Sequence, residues 1–121
     1  MANPVVHFEI VGSDDGALGS FYADLFDWKV NAVEGMDGYR LVDTGQAGAI
    51  GGGIGSSDNG QSHVTFYVQV DDPQAYLDKA EALGGRTIAP VTEIPNMVTF
   101  ALFADPEGHV VGVVKGDNGQ H

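Results

Sequence analysis

The fold is decided by the stretch Ser62–Val70, SHVTFYVQV, which is followed by Asp71-Asp72-Pro73. The same pattern occurs earlier in the sequence, in the stretch His7–Asp15, HFEIVGSDD. In each copy a histidine opens a strand of alternating apolar residues, and an Asp-Asp pair then precedes a pattern with helical spacing. A repeat of roughly fifty residues indicates two copies of one supersecondary unit, neither of which buries its apolar face alone.

Composition narrows the class of protein. The 121 residues fit one domain, 1–121, and the absence of cysteine excludes disulfides and thiolate metal sites. Five Lys and Arg against 17 Asp and Glu give a formal charge of -12, which disfavours nucleic acid and anionic membrane surfaces as partners. There is no apolar run of about 18 residues and no signal-peptide pattern, so we expect a cytoplasmic protein.

In the first copy, period-two alternation places Val6, Phe8 and Ile10 on one strand face, and His7 and Glu9 on the other. Ser13, Asp14 and Asp15 are good N-caps for a helix whose apolar stripe is Leu18, Phe21, Tyr22, Leu25 and Phe26. Trp28, at the end of this stripe, is expected in the core. Further strands are predicted at Trp28–Val33, Tyr39–Asp43 and Ala47–Ile54, the last weakened by its glycines.

The second copy follows a linker at Asp58-Asn59-Gly60. Its first strand is predicted to pack with the face Val64, Phe66, Val68 and Val70, which leaves His63, Thr65, Tyr67 and Gln69 on the other face. His63 is therefore interpreted as occupying the same position as His7. Asp72 and Pro73 predict the start of a second helix, which carries Tyr76, Ala80 and Leu83 and ends at Gly84-Gly85. Strands are predicted at Arg86–Ala89, Met97–Ala104 and His109–Val114.

The order strand, helix, three strands, given twice, predicts an α+β fold of two βαβββ modules, about 5–55 and 62–115. We expect a curved mixed sheet with the helices on its outer face and a concave ligand cavity on the other.

These residues resemble the vicinal oxygen chelate superfamily, which includes glyoxalase I, extradiol dioxygenases, fosfomycin-resistance enzymes and bleomycin-binding proteins. The similarity runs from Val5 to about Lys115. It is carried by His7 with its acidic helix start, by His63 before Val64–Val70, and by three further segments. These are the helix end FYADLFDW, the sequence LGG at 83–85 and the turn FADPEG at 103–108.

The resemblance implies four metal ligands, a histidine and a glutamate in each half. His7 and His63 match the histidine positions, while the glutamate positions fall near Gly51 and at Gly112. Because glycine supplies neither a ligand nor a proton acceptor, the resemblance does not imply an intact glyoxalase, dioxygenase or fosfomycin-type site. Glycines there are expected to widen the cavity for an organic ligand.

We therefore expect a protein that binds a small organic molecule and needs no cofactor. Its cavity candidates are His7, Glu9, Tyr39, Gly51, His63, Thr65, Tyr67 and Gly112. The alternative is a lyase or dioxygenase that uses nickel, zinc, iron or manganese held by His7, His63 and Glu9. A third hypothesis is a metal-free enzyme in which His63 or Glu9 is the catalytic acid or base. Arg40 is interpreted as an exposed strand arginine, and His109 and His121 are given no role. The resemblance also implies a homodimer.

Overall fold

Each half of the chain folds as one strand, one helix and three further strands in a computed structural model that describes residues 2–57, 62–95 and 98–116. The first half contains β1 (Val5–Gly12), α1 (Asp15–Phe26), β2 (Lys29–Val33), β3 (Met36–Asp43) and β4 (Gly51–Ser56). The second contains β5 (His63–Val70), α2 (Pro73–Ala82), β6 (Arg86–Ile94), β7 (Val98–Ala104) and β8 (Val110–Lys115). The α+β class and the repeated βαβββ order are therefore confirmed. The exact module limits, 5–55 and 62–115, stay predictions.

The chain separates into two compact units, which we call the first unit (Val6–Thr65) and the second unit (Met1–Val5 with Phe66–His121). In the first unit the strand order is β2-β3-β4-β1, with β1 parallel to β4 and the other neighbours antiparallel. The register places Gly51 opposite His7 and Gly53 opposite Glu9. Since paired residues of neighbouring strands share a sheet face, these four residues lie on one face.

The opposite face of this sheet carries the core of the first unit. Ile10, Val42 and Ile54 are buried there, and Trp28 packs against them as predicted. Helix α1 covers this face, and its N-cap Asp14 accepts a hydrogen bond of 3.0 Å from the backbone nitrogen of Ala17. The remaining apolar side chains packed on this core are Phe8, Leu18, Tyr22 and Val30.

The second unit repeats the arrangement with the strand order β5-β8-β7-β6. Its core consists of Val70, Leu77, Ala101 and Val113. Asp72 caps α2 and Pro73 is its first residue, as the sequence predicts. Neither helix of the described chain has the length and apolar character needed to cross a bilayer.

Three predicted packing positions are wrong. Val64 is 73% exposed and Phe66 is 42% exposed, because β5 pairs with β8 only from Tyr67 to Val70 and the core of the second unit lies along that part of the strand. Leu83 is 71% exposed, and Leu77 is the α2 side chain that fills the core.

The predicted ends of several strands also differ from those observed. β4 begins at Gly51 rather than Ala47, and β6 continues to Ile94 rather than Ala89. The linker residues Asp58-Asn59-Gly60, the predicted strand start at Met97, and His121 lie outside the described residues.

Candidate functional site

The first unit gathers four polar side chains from three strands. His7 and Glu9 stand two residues apart on β1 and therefore on the same face, Tyr39 comes from β3, and His63 is the first residue of β5. The His63 Nε2 atom lies 3.6 Å from Glu9 Oε1. The side chain of Glu9 is 14% exposed and that of His63 is 36% exposed. The structure thus brings together the two residues that the sequence analysis offered as catalytic candidates.

Tyr39 links the two residues of β1. Its hydroxyl lies 3.0 Å from His7 Nε2 and is also hydrogen-bonded to the Glu9 carboxylate. Burial, followed by the nearby Glu9 charge, raises the pKa of Tyr39 far above its ordinary value, so the phenol stays protonated. A phenol has one proton, and a carboxylate can only accept, so that proton is donated to Glu9. His7 must then donate its Nε2–H to the phenol oxygen.

Burial also lowers the pKa of His7, although the Glu9 charge opposes this effect. His7 is therefore a neutral imidazole at neutral pH, in agreement with its role as an Nε2–H donor. One of the two His7 nitrogens that could bind a metal is therefore already hydrogen-bonded to Tyr39.

The Nε2 atom of His63 is a buried polar atom without a hydrogen-bond partner among the described residues. Its 3.6 Å separation from Glu9 is longer than a hydrogen bond, and a buried nitrogen left in this state is costly. Glu9 and His63 therefore form a pair of facing polar groups with hydrogen-bonding capacity directed at the space between them.

The glycines at the expected carboxylate positions do not widen the site. A Cβ atom on Gly53 would overlap the Tyr39 phenol, and one on Gly112 would overlap the Tyr67 ring. At Gly51 a Cβ would lie 2.9 Å from the Val42 carbonyl oxygen. The prediction that these glycines enlarge a cavity is wrong, because aromatic rings and backbone already take the space.

These observations test whether the residues fit the metal that the superfamily implies. Within residues 2–57, 62–95 and 98–116, no group of three or more His, Asp or Glu side chains is placed to hold a metal ion. His7 and His63 are present, but the positions near Gly51 and at Gly112 supply no ligand and have no room for one. The residues therefore do not fit the four-ligand site.

The helix caps correct the assignment of His63. His7 lies seven residues before the α1 cap Asp14, and in the second half the residue seven before the α2 cap Asp72 is Thr65. Thr65 is 6% exposed and holds the position equivalent to His7. His63, two residues earlier, shares the strand face but not the position. The cap spacing in the sequence could have given this alignment.

The remaining cavity candidates lie in the second unit. Tyr67 is 8% exposed, covers Gly112 and meets Phe100 edge-on with ring centres 6.4 Å apart. Its role there is to fill the sheet face above a glycine.

Two further residues from the sequence analysis, Arg40 and His109, each lie close to an aspartate. Arg40 donates from Nε to Asp15 Oδ2 at 2.6 Å, so it is ion-paired rather than a simple exposed arginine. His109 lies 3.1 Å from Asp105 in the turn before β8 and is 72% exposed.

A family model described as a glyoxalase-like domain matches residues 8–114. The chain belongs to this glyoxalase-like family, and with it to the vicinal oxygen chelate superfamily. A Mycobacterium bovis protein provisionally named glyoxylase CFP32 is 37% identical over 78 residues, which are 64% of this chain. The match spans 30% of the length of that relative.

Solved structures support the fold of this glyoxalase-like chain. Methylmalonyl-CoA epimerase from Mycobacterium tuberculosis aligns with a TM-score of 0.68 and 14% identity, over 93% of this chain and 87% of the epimerase. The Mn(II)-bound glyoxalase from Novosphingobium aromaticivorans aligns with a TM-score of 0.64 and 17% identity, over 94% of this chain and 40% of that enzyme. At such identities the similarity establishes the architecture alone.

Proposed function

We propose that this glyoxalase-like protein binds a small organic molecule through Glu9 and His63, without the complete metal site of the superfamily. The observation that carries the proposal is the buried His63 Nε2 atom, which has no hydrogen-bond partner in the described chain and faces Glu9 at 3.6 Å. Buried polar atoms in native proteins are paired, so a ligand atom that bridges His63 Nε2 and the Glu9 carboxylate from one side would complete the arrangement.

The chemistry of the pair selects the ligand class. Glu9 accepts hydrogen bonds, and the His63 imidazole accepts at Nε2 in the tautomer that has its proton on Nδ1. A ligand amine or hydroxyl placed between them would donate to both, whereas a ligand carboxylate would be repelled by Glu9. The formal charge of -12 also favours a cationic ligand over an anionic one. An organic amine is therefore the preferred class.

The same pair supports a second function, metal-free proton transfer. Glu9 and His63 are two proton-accepting groups 3.6 Å apart, and either could act as the general base towards a bound carbonyl compound. Turnover that persists in the presence of EDTA, with a pH profile that changes in His63→Gln, would support this function. Turnover that EDTA abolishes would contradict it.

The binding proposal is tested with three matched probes, benzylamine, benzyl alcohol and benzoate, by isothermal titration calorimetry. We expect the amine to bind most tightly and benzoate not to bind. Glu9→Gln should weaken amine binding at least tenfold, as loss of a charge-assisted hydrogen bond worth roughly 1.5–3 kcal/mol implies. His109→Gln, a histidine in an exposed turn, is the matched control and should bind as wild type. Equal binding of all three probes, or an unchanged affinity in Glu9→Gln, would overturn the proposal.

Pairing of two copies is also proposed, from the resemblance to single-domain members of the superfamily, and the cytoplasmic location stays a proposal. A mass of twice 12.7 kDa by light scattering would support the homodimer, and a mass of 12.7 kDa at micromolar concentration would refute it.

A further inference from the structure

The second unit contains a cavity of about 350 Å³ between α2 and the sheet. Its floor includes Val68 and Val113, and its wall includes Tyr76, Ala80 and Leu83 of α2. The volume reaches the lower end of the range for small-molecule sites in proteins, roughly 300–1,000 Å³.

This cavity is separate from the polar site of the first unit. Val68 and Val113 pack with the core under α2, whereas their chain neighbours Tyr67 and Gly112 belong to the opposite sheet face. Glu9 and His63, which are proposed to bind a ligand in the first unit, are not among the residues that line this cavity.

Several residues that line the cavity have a small side chain or none. Ala80 faces it from α2, and Gly85 and Ala104 line its edge. A larger residue cannot replace Gly85, since its Cβ would overlap the Ala104 carbonyl oxygen. Leu83, which could have filled the space, is 71% exposed.

The polar side chains that line the cavity differ in whether they already have hydrogen-bond or ion-pair partners. The Tyr76 hydroxyl accepts a hydrogen bond from Asn3 Nδ2 at 3.3 Å. Asp105 accepts from the backbone nitrogens of Glu107 and His109 and is paired with the His109 ring. Lys79, by contrast, makes no ion pair or side-chain hydrogen bond within the part of the chain that the structure describes. Lys79 is therefore the cationic residue of this lining, and the Tyr76 hydroxyl keeps a proton to donate.

We propose that this cavity is a second ligand site, which takes an organic monocarboxylate with an unbranched apolar chain or an aromatic body. The apolar part would lie against Val68, Val113 and Leu83, and the carboxylate would pair with Lys79. Burial of the ligand's apolar part supplies the affinity, because transfer of apolar surface from water is the dominant favourable contribution to binding. Lys79 supplies the preference for an anion, in a protein whose net charge of -12 opposes one.

Octanoate, 1-octanol and octylamine are the probes, measured by calorimetry and by chemical-shift changes in ¹H–¹⁵N spectra of the full chain. We expect octanoate to bind more tightly than octylamine, with shift changes at Tyr76, Ala80 and Phe103. Lys79→Gln should weaken octanoate roughly threefold at low salt, as expected for an exposed ion pair, and leave octanol unchanged. Lys29→Gln, an exposed lysine of the first unit, is the matched control.

Ala80→Leu is a second variant, chosen because it fills the cavity without changing a charge. It should abolish binding of octanoate and octanol while the midpoint of thermal unfolding stays at or above that of wild type. The proposal is overturned if Ala80→Leu binds octanoate normally, or if octanoate and octylamine bind equally. It is also overturned if the probes act only near their micelle-forming concentrations.

Discussion

Tyr39 and Tyr67 each cover a glycine on one face of a sheet. In each unit a phenol ring lies directly over a glycine, Gly53 in the first and Gly112 in the second. A ring and a carboxylate side chain cannot share this space. At each of these faces the glycine is therefore required by the tyrosine, and the packing that results is incompatible with a larger side chain.

The first prediction concerns Gly53. Gly53→Ala should lower the free energy of unfolding by about 2 kcal/mol, because its Cβ overlaps the buried Tyr39 phenol and overpacking has costs of this size. Chemical denaturation provides the measurement. Gly16→Ala is the control, since a Cβ there meets its nearest atoms at an ordinary 3.5 Å, and it should stay within about 1 kcal/mol of wild type. If Gly53→Ala also unfolds like wild type, the contact is absent.

The second prediction concerns the pH dependence that His7 imposes. Burial lowers the pKa of folded His7 below its unfolded value of about 6.5, so between these pKa values the unfolded state binds more protons. Stability is therefore full above pH 6.5 and falls as the pH decreases towards the folded pKa. Urea unfolding at intervals from pH 8 to pH 5 should show this decline in wild type.

His7→Gln should flatten the decline, since glutamine does not titrate. His109→Gln should keep it, because His109 is in an exposed turn. Parallel curves for wild type and His7→Gln would show that His7 is not the group responsible.

Among the elements, helix α1 is tied to its sheet at its first residue. Ser56 of β4 accepts a hydrogen bond from the Asp15 backbone nitrogen at 2.8 Å and donates to Asp15 Oδ1 at 2.6 Å. Arg40 of β3 binds the other carboxylate oxygen. The Ser56 hydrogen bond, followed by that of Arg40, lowers the pKa of Asp15, so this contribution is present above the unfolded value near 3.9 and is lost at more acidic pH.

Removal of the Ser56 hydroxyl should therefore loosen α1. Ser56→Ala is expected to lower the free energy of unfolding by about 1–2 kcal/mol at pH 7, as it leaves two groups of Asp15 without a partner. The loss should shrink as the pH falls below the unfolded pKa of about 3.9 and Asp15 becomes protonated. Ser20→Ala, on the exposed side of the same helix, should change stability little. Equal losses in the two variants would argue that Ser56 contributes nothing specific.

The elements that could be predicted are those determined by neighbours in sequence. Asp14 and Asp72 cap the two helices as expected, because a cap is a local interaction between a side chain and the next turn. The role of Tyr39 could not be predicted, since it depends on β3 lying beside β4 in a register that sets Leu41 opposite Gly53. The exposure of Val64 has the same origin, because alternation shows that a strand has two faces but not which part of it a helix covers.

For the molecule as a whole, membership of the family does not determine the chemistry of the site. The chain has the glyoxalase-like fold along residues 8–114, yet the described residues contain no group able to hold a metal in the way the superfamily implies. A fold accommodates many activities, and the activity depends on the side chains placed in it. Here Tyr39 joins His7 and Glu9 by hydrogen bonds, and His63 faces Glu9 at 3.6 Å.

The last prediction follows from this difference. Tag-free protein incubated with nickel, zinc, iron(II) or manganese and then desalted should retain far less than one equivalent by elemental analysis. Near one equivalent in wild type, lost in both His7→Ala and His63→Ala, would instead establish the metal-dependent alternative.

A double variant tests the physical reason. Tyr39→Ala with Gly53→Glu removes the ring and adds a carboxylate to the face that carries His7 and Glu9, so it should retain more nickel than wild type. Tyr39→Ala with Gly53→Gln is the matched control, which has the same shape without the charge and should retain no more than wild type. If the two double variants retain equal amounts, the missing carboxylate is not what keeps the metal away. Gain of nickel by the glutamate variant alone would show that the Tyr39 ring and the missing carboxylate at Gly53 limit metal binding on this face.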